Sequence, residues 1–260
     1  MKYLVISDIH SNLESFEKLL NIKKVKEVDR ILFLGDLVGY GANPNEVIEL
    51  FRSLKNVSYI RGNHDKVVAG IESSSLFNPV AAFSAEWSRN NTSKDNLEFL
   101  KNIDIGPKIV DYFSTICHGS TFDEDYYVFS VFEASESIKF METSVGFFGH
   151  THIATHHWIG EDMDVHTEAL ELGQPVVFNP IADFRRGIRR LLNPGSVGQP
   201  RDGDPRASFA QLVINGDPSD EKTRWVFTVI RQKYDIDSVV ARFEELGLPP
   251  RNGTRLRSGT

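Results

Sequence analysis

Tyr3-Leu4-Val5-Ile6, close to the start of the 260-residue chain, is a short apolar run that predicts a buried β-strand. Ser11-Asn12-Leu13-Glu14 follows and predicts the start of a helix, with Ser11 as the candidate cap and an acidic first turn. Ile31-Leu32-Phe33-Leu34 and Val57-Ser58-Tyr59-Ile60 predict two more strands, separated by a helix that begins near Pro44. This alternation favours an α/β fold whose first strands pair in parallel.

The remainder of the chain changes from helical to strand-rich. Residues 78–102 have helical periodicity with a break near Asn90-Asn91-Thr92-Ser93, which predicts a two-helix insertion around residues 78–103, over or beside a site. A last amphipathic helix is expected at Ile236–Leu246, closed by Gly247. Short strands are predicted at Lys108–Tyr112, Thr115–His118, Val145–Gly149, Pro175–Asn179, Arg189–Asn193, Ala207–Ile214 and Thr223–Ile230. We therefore expect two mixed β-sheets packed face to face and flanked by helices, within a single domain of residues 1–260.

Composition limits the classes of function. The hydrophobic fraction of 40% and the 18 phenylalanines are enough for a sizeable core. The formal net charge of −7 gives no general basic surface, so long nucleic acids and anionic membranes are not expected partners. The sole cysteine, Cys117, is expected to be a buried strand residue, and no run of 18 apolar residues occurs. We expect a cytoplasmic protein with a small substrate.

Polar residues follow the predicted strands at five places. They are Asp8 and His10, then Asp36, then Asn63 and His64, then His118, and finally His150 and His152. Open α/β sheets bind ligands at the carboxyl ends of their strands, where such side chains converge. An extended backbone would direct Asp8 and His10 to one side, and likewise His150 and His152.

Each of these clusters has an ordinary structural alternative when it is taken alone. A carboxylate after glycine is often a turn residue, and a single histidine at a strand end is more often a satisfied core or surface residue. The shared position of all five clusters favours a common site. Imidazole, carboxylate and amide groups without a thiolate suit Mn²⁺, Fe, Ni²⁺ or Zn²⁺, and pairs of such ions about 3.5–4 Å apart recur in enzymes that hydrolyse phosphate esters.

In type and order, these residues resemble the motifs of the calcineurin-like metallophosphoesterases. The motifs here are Asp8-Ile9-His10, Gly35-Asp36, Gly62-Asn63-His64-Asp65, His118 and Gly149-His150-Thr151-His152. The resemblance implies a four-layer αββα sandwich, and two divalent transition-metal ions per chain with Mn²⁺ as the first choice. It also implies hydrolysis by a metal-bridging hydroxide that attacks phosphorus.

The resemblance also assigns roles to the residues. It implies that Asp8, His10 and His152 hold one metal ion, that Asn63, His118 and His150 hold the other, and that Asp36 bridges the two. It further implies that His64 stabilises a phosphoryl oxygen or protonates the leaving alkoxide, with Asp65 orienting the His64 ring. Asn193-Pro194-Gly195-Ser196 is similar to a turn near the site in related proteins.

Departures from the family pattern bear on the substrate. The second motif continues as Val38-Gly39-Tyr40-Gly41, without the arginine typical of Ser/Thr protein phosphatases and dinucleoside-tetraphosphate hydrolases. The chain is therefore most similar to small bacterial and archaeal phosphodiesterases, with nucleotides as a candidate substrate class. A protein phosphatase, a dinucleoside-tetraphosphate hydrolase and a non-catalytic metal-binding scaffold are the alternatives.

Substrate contacts are the least determined part of the sequence. The candidates are Asn12, Tyr40, Asn43, Arg61 and the Arg201/Arg206 pair. For each of them, an ordinary loop or surface residue is the more common interpretation. His156, His157 and His166 match no ligand position of the family, and we expect them to face solvent.

Overall fold

The computed structural model describes residues 1–111 and 113–260, in which the strands form two six-stranded mixed sheets. The first sheet has the order β3 (Val57–Tyr59), β2 (Arg30–Phe33), β1 (Lys2–Ile6), β11 (Ala207–Asn215), β12 (Arg224–Gln232) and β9 (Val176–Phe178). The second has the order β4 (Lys108–Ile109), β5 (Ser114–Ile116), β6 (Val145–Phe147), β10 (Arg189–Pro194), β7 (Ala154–Ile159) and β8 (Val165–Ala169). The α/β class and the two packed sheets with flanking helices are as predicted.

Helices cover the outer faces of both sheets. They are α1 (Leu13–Leu20), α2 (Lys23–Lys26), α3 (Pro44–Arg52), α4 (Asn63–Val68), α5 (Pro79–Asn91), α6 (Lys94–Lys101), α7 (Val131–Ile138), α8 (Pro180–Arg185), α9 (Ile236–Glu245) and α10 (Pro250–Ser258), with a 3₁₀ turn at Ser74–Leu76. The predicted break in residues 78–102 therefore separates α5 from α6. Among the described residues, none of these helices is both long and apolar enough to cross a bilayer.

Alternation along β1 shows how the layers form. Tyr3 and Val5 pack with Phe147 and Leu192 of the other sheet, whereas Leu4 and Ile6 pack with the helices outside. This happens because successive side chains of a strand point to opposite faces. β1 is buried on both faces, which explains why it appears in the sequence as a continuous apolar run.

Parallel strands direct their carboxyl ends to one edge of the sandwich. β1, β2 and β3 are parallel in the first sheet, and β5, β6 and β10 are parallel in the second. The loops after all six strands therefore meet at the same end of the molecule. All five predicted motifs begin within four residues of the end of one of these strands.

Several local predictions need correction. Asn12 rather than Ser11 caps α1, because its side chain accepts the Ser15 NH at 3.1 Å. The predicted strand at 108–112 is limited to Lys108–Ile109 within the described residues, and Tyr112 lies outside them. Seven helices and strands were missed altogether: α2, α4, β7, β8, α7, α8 and α10. In α10, Leu256 is the only strongly apolar residue, so its periodicity gave no signal.

The prediction for His156 and His157 was wrong, since both are buried in the second sheet. They lie in β7, which is flanked by β10 and β8 and is therefore an interior strand. His156 pairs with Glu168 at 2.8 Å, and His157 with the Thr167 hydroxyl at 2.7 Å. His166 on β8 remains partly exposed, as β8 is an edge strand. Cys117 is fully buried, one residue past β5.

Candidate metal and phosphate site

The loops at the carboxyl edge place most of the predicted metal ligands in two overlapping clusters. In each cluster, one ligand atom of every residue lies within 4.8 Å of the others, and all the residues are buried. The first cluster is Asp8, His10, Asp36 and His152, and the second is Asp36, His118 and His150. Asp36 belongs to both, so its carboxylate has the position that a bridging ligand requires. The Asn63 amide oxygen lies 3.2 Å from His118 Nε2, beside the second cluster.

Backbone conformation, rather than strand alternation, directs these side chains. Asp8, His10, Asp36, His150 and His152 all have positive φ, between 49° and 65°. The expectation of an extended backbone at both Asp-x-His and His-x-His was therefore wrong. Left-handed conformations are uncommon outside glycine, although Asp and His tolerate them better than most residues, and they concentrate at functional sites.

Two glycines allow the loops to approach one another. A Cβ on Gly62 would overlap the Asp36 carboxylate, and a Cβ on Gly149 would overlap the Ser7 hydroxyl. The motif glycines are thus needed for close packing between loops, because even one methyl group would push the ligands apart.

Main-chain carbonyls fix the histidine tautomers. His10 Nδ1 lies 3.0 Å from the Val38 carbonyl, His118 Nδ1 lies 2.9 Å from that of Leu34, and His152 Nδ1 lies 2.6 Å from that of Gln199. Each Nδ1 must carry a proton in order to donate to a carbonyl, which leaves Nε2 to face the cluster. His150 is reversed: its Nε2 lies 3.1 Å from the Asp125 carbonyl, so Nδ1 is its free nitrogen.

The donor set fits a divalent cation. His10 Nε2 and His152 Nε2 are 3.0 Å apart. Burial is the main cause that lowers the pKa of both rings. Both rings are therefore neutral at neutral pH, and their lone pairs face each other. That arrangement is unfavourable unless a cation accepts both lone pairs. Nearby oxygens complete the set, with Asp8 Oδ1 3.2 Å from His152 Nε2 and Asp36 Oδ2 3.5 Å from His10 Nε2.

The second cluster has a strongly negative potential. Burial acts to lower the pKa of His118, but the charge of Asp36, the hydrogen bond to its carboxylate and the charge of Asp8 together outweigh burial and raise that pKa to about 10. His118 Nε2 lies 3.4 Å from Asp36 Oδ2, which explains the size of the effect. A cation bound here would displace the His118 proton, since metal ligands must be deprotonated.

Asp65 holds two loops together. Its carboxylate accepts the main-chain NH groups of Asp36, Leu37, Val38 and Gly62 at 2.8–3.1 Å. The expected role of Asp65 as the partner of His64 is therefore wrong, and His64 Nδ1 is buried without a hydrogen-bond partner among the described residues. Burial and the Asp36 charge raise the pKa of Asp65 to about 7, against the lowering effect of the NH groups.

A segment from the C-terminal part of the chain supports the motif loops. The sequence predicted this segment only as a turn near the site. Asn193 donates to the Gly149 carbonyl at 2.9 Å and to the Thr151 hydroxyl at 3.0 Å. Ser196 donates to the Asp8 carbonyl at 2.8 Å. Segment 193–199 therefore fixes both the first and the last motif.

A cavity of about 370 Å³ opens beside the second cluster. His64 forms one wall, with its ring 4.5 Å from that of Tyr40 and 4.6 Å from that of Phe77. Tyr127 stacks on His150 at 3.7 Å and forms another wall. Polar side chains such as Lys66, Glu72 and Asp125 line the cavity beside these aromatic walls. Its size is that of a small-molecule site. Phe77 and Tyr127 were not among the predicted residues, because nothing in their local sequence places them near a motif.

The predicted substrate contacts have different surroundings. Tyr40 lines the cavity. Both polar atoms of the Asn12 side chain already make hydrogen bonds. Its oxygen caps α1, and its nitrogen donates to the Gly198 carbonyl at 2.8 Å. Arg61 makes a two-point ion pair with Glu124, at 2.9 and 3.1 Å, so its charge is already compensated.

A family model described as "Calcineurin-like phosphoesterase superfamily domain" matches residues 1–217, which is most of the chain. The chain belongs to the calcineurin-like phosphoesterase superfamily. An uncharacterised protein of Methanocaldococcus jannaschii is 34% identical over 264 residues, covering 98% of this chain and 97% of that protein.

Solved structures agree with this superfamily. A metallophosphoesterase from Sphaerobacter thermophilus is 35% identical, with a TM-score of 0.80 over 100% of this chain and 99% of that one. A hypothetical protein from Pyrococcus horikoshii shares the fold at 18% identity, with a TM-score of 0.74 over 100% of this chain and 98% of that one. The likeness to both extends over the complete chain, including the part beyond the family match.

Proposed function

We propose that this member of the superfamily is a metal-dependent phosphodiesterase or phosphomonoesterase acting on a small phosphorylated substrate, with nucleotides as the leading class. The observation that carries the proposal is the pair of buried clusters that share the Asp36 carboxylate. Within this proposal, Asp8, His10 and His152 hold one ion, Asn63, His118 and His150 hold the other, and Mn²⁺ is the first choice over Fe, Ni²⁺ and Zn²⁺. When bound, such ions neutralise phosphoryl oxygens and make water a better nucleophile.

His64 is proposed to act on the substrate through Nε2. Its Nδ1 is enclosed against Gly39, where any Cβ would overlap the ring, so Nε2 is the nitrogen that can face the cavity. The main-chain NH of His64 donates to Asp36 Oδ1 at 2.9 Å, which ties the ring to the shared carboxylate. From this position Nε2 would donate a hydrogen bond to a phosphoryl oxygen or a proton to the leaving alkoxide.

The cavity favours an organic group next to the scissile phosphate. Phe77 and Tyr127 offer flat apolar surfaces, and stacking on such rings is how proteins hold a nucleobase without reading its sequence. This supports a diester or nucleotide over a phosphorylated protein surface. The proposal retains the small bacterial and archaeal phosphodiesterases as the branch that the chain most resembles.

The proposal can be tested by reconstituting the protein with Mn²⁺ and comparing rates on four substrates: bis(p-nitrophenyl) phosphate, p-nitrophenyl phosphate, a phosphopeptide and a dinucleoside tetraphosphate. We expect the diester or the monoester to be hydrolysed with the highest kcat/KM. His64→Ala should lower kcat by about 10²–10⁴-fold, the range for loss of a general acid, while metal content stays unchanged. A preference for the phosphopeptide would favour a protein phosphatase, and metal binding without turnover on any substrate would favour a scaffold.

A further inference from the structure

Three arginines close to the site have no carboxylate partner within 4.0 Å among the described residues: Arg201, Arg251 and Arg255. The chain as a whole has a net charge of −7, so these three positive groups are not part of a general basic surface. Nearby arginines are paired, Arg206 with Asp204 and Arg257 with Asp237. An anion that is not part of the chain would relieve the mutual repulsion of these guanidinium groups.

Arg201 connects this cluster to the metal ligands. Its main-chain NH donates to the His152 carbonyl at 3.1 Å, and its guanidinium lies 5.6 Å from the centre of the Tyr40 ring. The Arg201 Nε atom is buried and has no hydrogen-bond partner among the described residues. A buried, unpaired donor on a cation is costly, and a phosphate oxygen would satisfy it.

Arg251 and Arg255 are one helical turn apart in α10 and so share a face of that helix. They line a second cavity of about 370 Å³ together with Asn78, Pro79 and Val80. Asn78 also lines the cavity beside the metal clusters, so the two cavities share this residue as a wall. Burial lowers the pKa of Arg255, and the charge of Arg201 lowers it further, which is consistent with guanidinium groups in electrostatic reach of each other.

Helix α10 is fixed firmly enough to serve as one wall of a site. Asn252 is fully buried and donates to the Tyr40 carbonyl and to the Ser84 hydroxyl, each at 3.0 Å. Gly253 packs against Val240 of α9 so closely that a Cβ would lie 3.0 Å from a Val240 methyl carbon. The two arginines therefore stand on a rigid element that is tied directly to the second motif loop.

We propose that Arg201, Arg251 and Arg255 bind a second phosphate group, so that the preferred substrate carries at least two phosphates, as in a nucleoside diphosphate or a diphosphate ester. The inference rests on the proposed function, which places the scissile phosphate at the Asp36 clusters. In this arrangement the arginine missing from the second motif is replaced by arginines from the C-terminal part of the chain. Guanidinium groups suit this role because their planar donors match phosphate oxygens in pairs.

The test compares the affinity of Mn²⁺-loaded protein for ligands that differ by one phosphate: AMP against ADP, and inorganic phosphate against pyrophosphate. Binding is measured by calorimetry, with metal content and circular dichroism recorded for each variant. The variants are Arg201→Gln and the pair Arg251→Gln/Arg255→Gln. Arg257→Gln is the matched control, because it lies on the same helix but is paired with Asp237.

We expect the wild-type protein and Arg257→Gln to bind the diphosphate ligands at least 10-fold more tightly than the monophosphates. In the double variant this ratio should fall below about 3-fold, and in Arg201→Gln it should fall in the same direction. An unchanged ratio in the double variant, an equal loss in Arg257→Gln, or no wild-type preference for diphosphates would each overturn the inference. The proposed function fails separately, if the wild-type protein hydrolyses none of its four test substrates.

Discussion

Two groups of histidines in this protein differ in a way that their burial does not reveal. One group surrounds Asp36 and contains His10, His118, His150 and His152. The other lies on the β7–β8 hairpin and contains His156, His157 and His166. Most members of both groups are buried, and His156 even pairs with a carboxylate, Glu168. Yet within the described residues, the side-chain groups able to hold a cation are those around Asp36.

The two groups differ in whether the ring nitrogens of several histidines face one common point. His156 and His157 are neighbours in one strand, so their side chains point to opposite faces of the sheet and each finds its own partner. The histidines around Asp36 come from three separate loops, and the main-chain hydrogen bond of each ring leaves its other nitrogen facing the shared centre. A buried histidine therefore indicates a metal ligand only when its free nitrogen meets those of others.

The largest expected effect follows from removing the shared carboxylate. Asp36→Asn should reduce bound metal in both clusters and lower kcat/KM by about 10³-fold or more, since the ions contribute several kcal/mol to the transition state. Metal content measured by mass spectrometry, together with diester hydrolysis, checks this. Full metal content in Asp36→Asn would show that the two clusters do not depend on a common bridge.

A matched pair of substitutions separates the two groups of histidines directly. His118→Gln should lower metal content and reduce kcat/KM by about 100-fold or more, since it removes one nitrogen ligand. His156→Gln should leave both within about twofold of wild type, because its ring contacts Glu168 and Arg190 rather than the site. Similar losses in both variants would contradict the distinction.

Convergence also depends on the loop positions that Asp65 fixes. Asp65→Ala leaves four buried NH groups without their acceptor, each at a cost of about 1–3 kcal/mol when unsatisfied. We expect a lower free energy of unfolding in urea and a metal affinity about 10–100-fold weaker. Asp65→Asn keeps one oxygen and should give an intermediate result. Wild-type metal affinity in the alanine variant would mean that the loops hold their positions without this carboxylate.

The smallest effect concerns the hairpin histidines and pH. Burial is the main cause that lowers the pKa of His157 from 6.5 to about 4. The charge of His156 lowers this pKa further, and the charge of Glu133 opposes the change. Because the unfolded chain binds the proton more readily, stability should fall as pH drops from 6.5 towards 4, by at most about 3 kcal/mol for this group.

The variant His157→Gln keeps a hydrogen-bonding side chain but does not titrate. Its free energy of unfolding should therefore decline less steeply than that of wild type over the same pH window. Urea titrations of both proteins at several pH values between 6.5 and 4.5 measure the difference. Parallel curves would show that protonation of His157 does not contribute.

The sequence by itself determined the apolar strands, the order of the motifs and the family. These properties can be recognised from short stretches of sequence. A run such as Tyr3–Ile6 is apolar because the strand is buried on both faces. The imidazole, carboxylate and amide ligands of the motifs are set by the chemistry of the ions they suit. Helices with little apolar periodicity, such as α10, gave no such signal.

Only the tertiary structure decided which polar residues cooperate. Asn252 donates to the Tyr40 carbonyl across 212 positions of sequence, and Arg201 lies over the Tyr40 ring. Arg61, which is part of the sequence next to a motif, is instead neutralised by Glu124. Partners that are distant in sequence leave no local pattern, because hydrogen bonds and ion pairs depend on distances that exist only once the loops have come together. The arginines with no carboxylate partner could be recognised only in the folded chain.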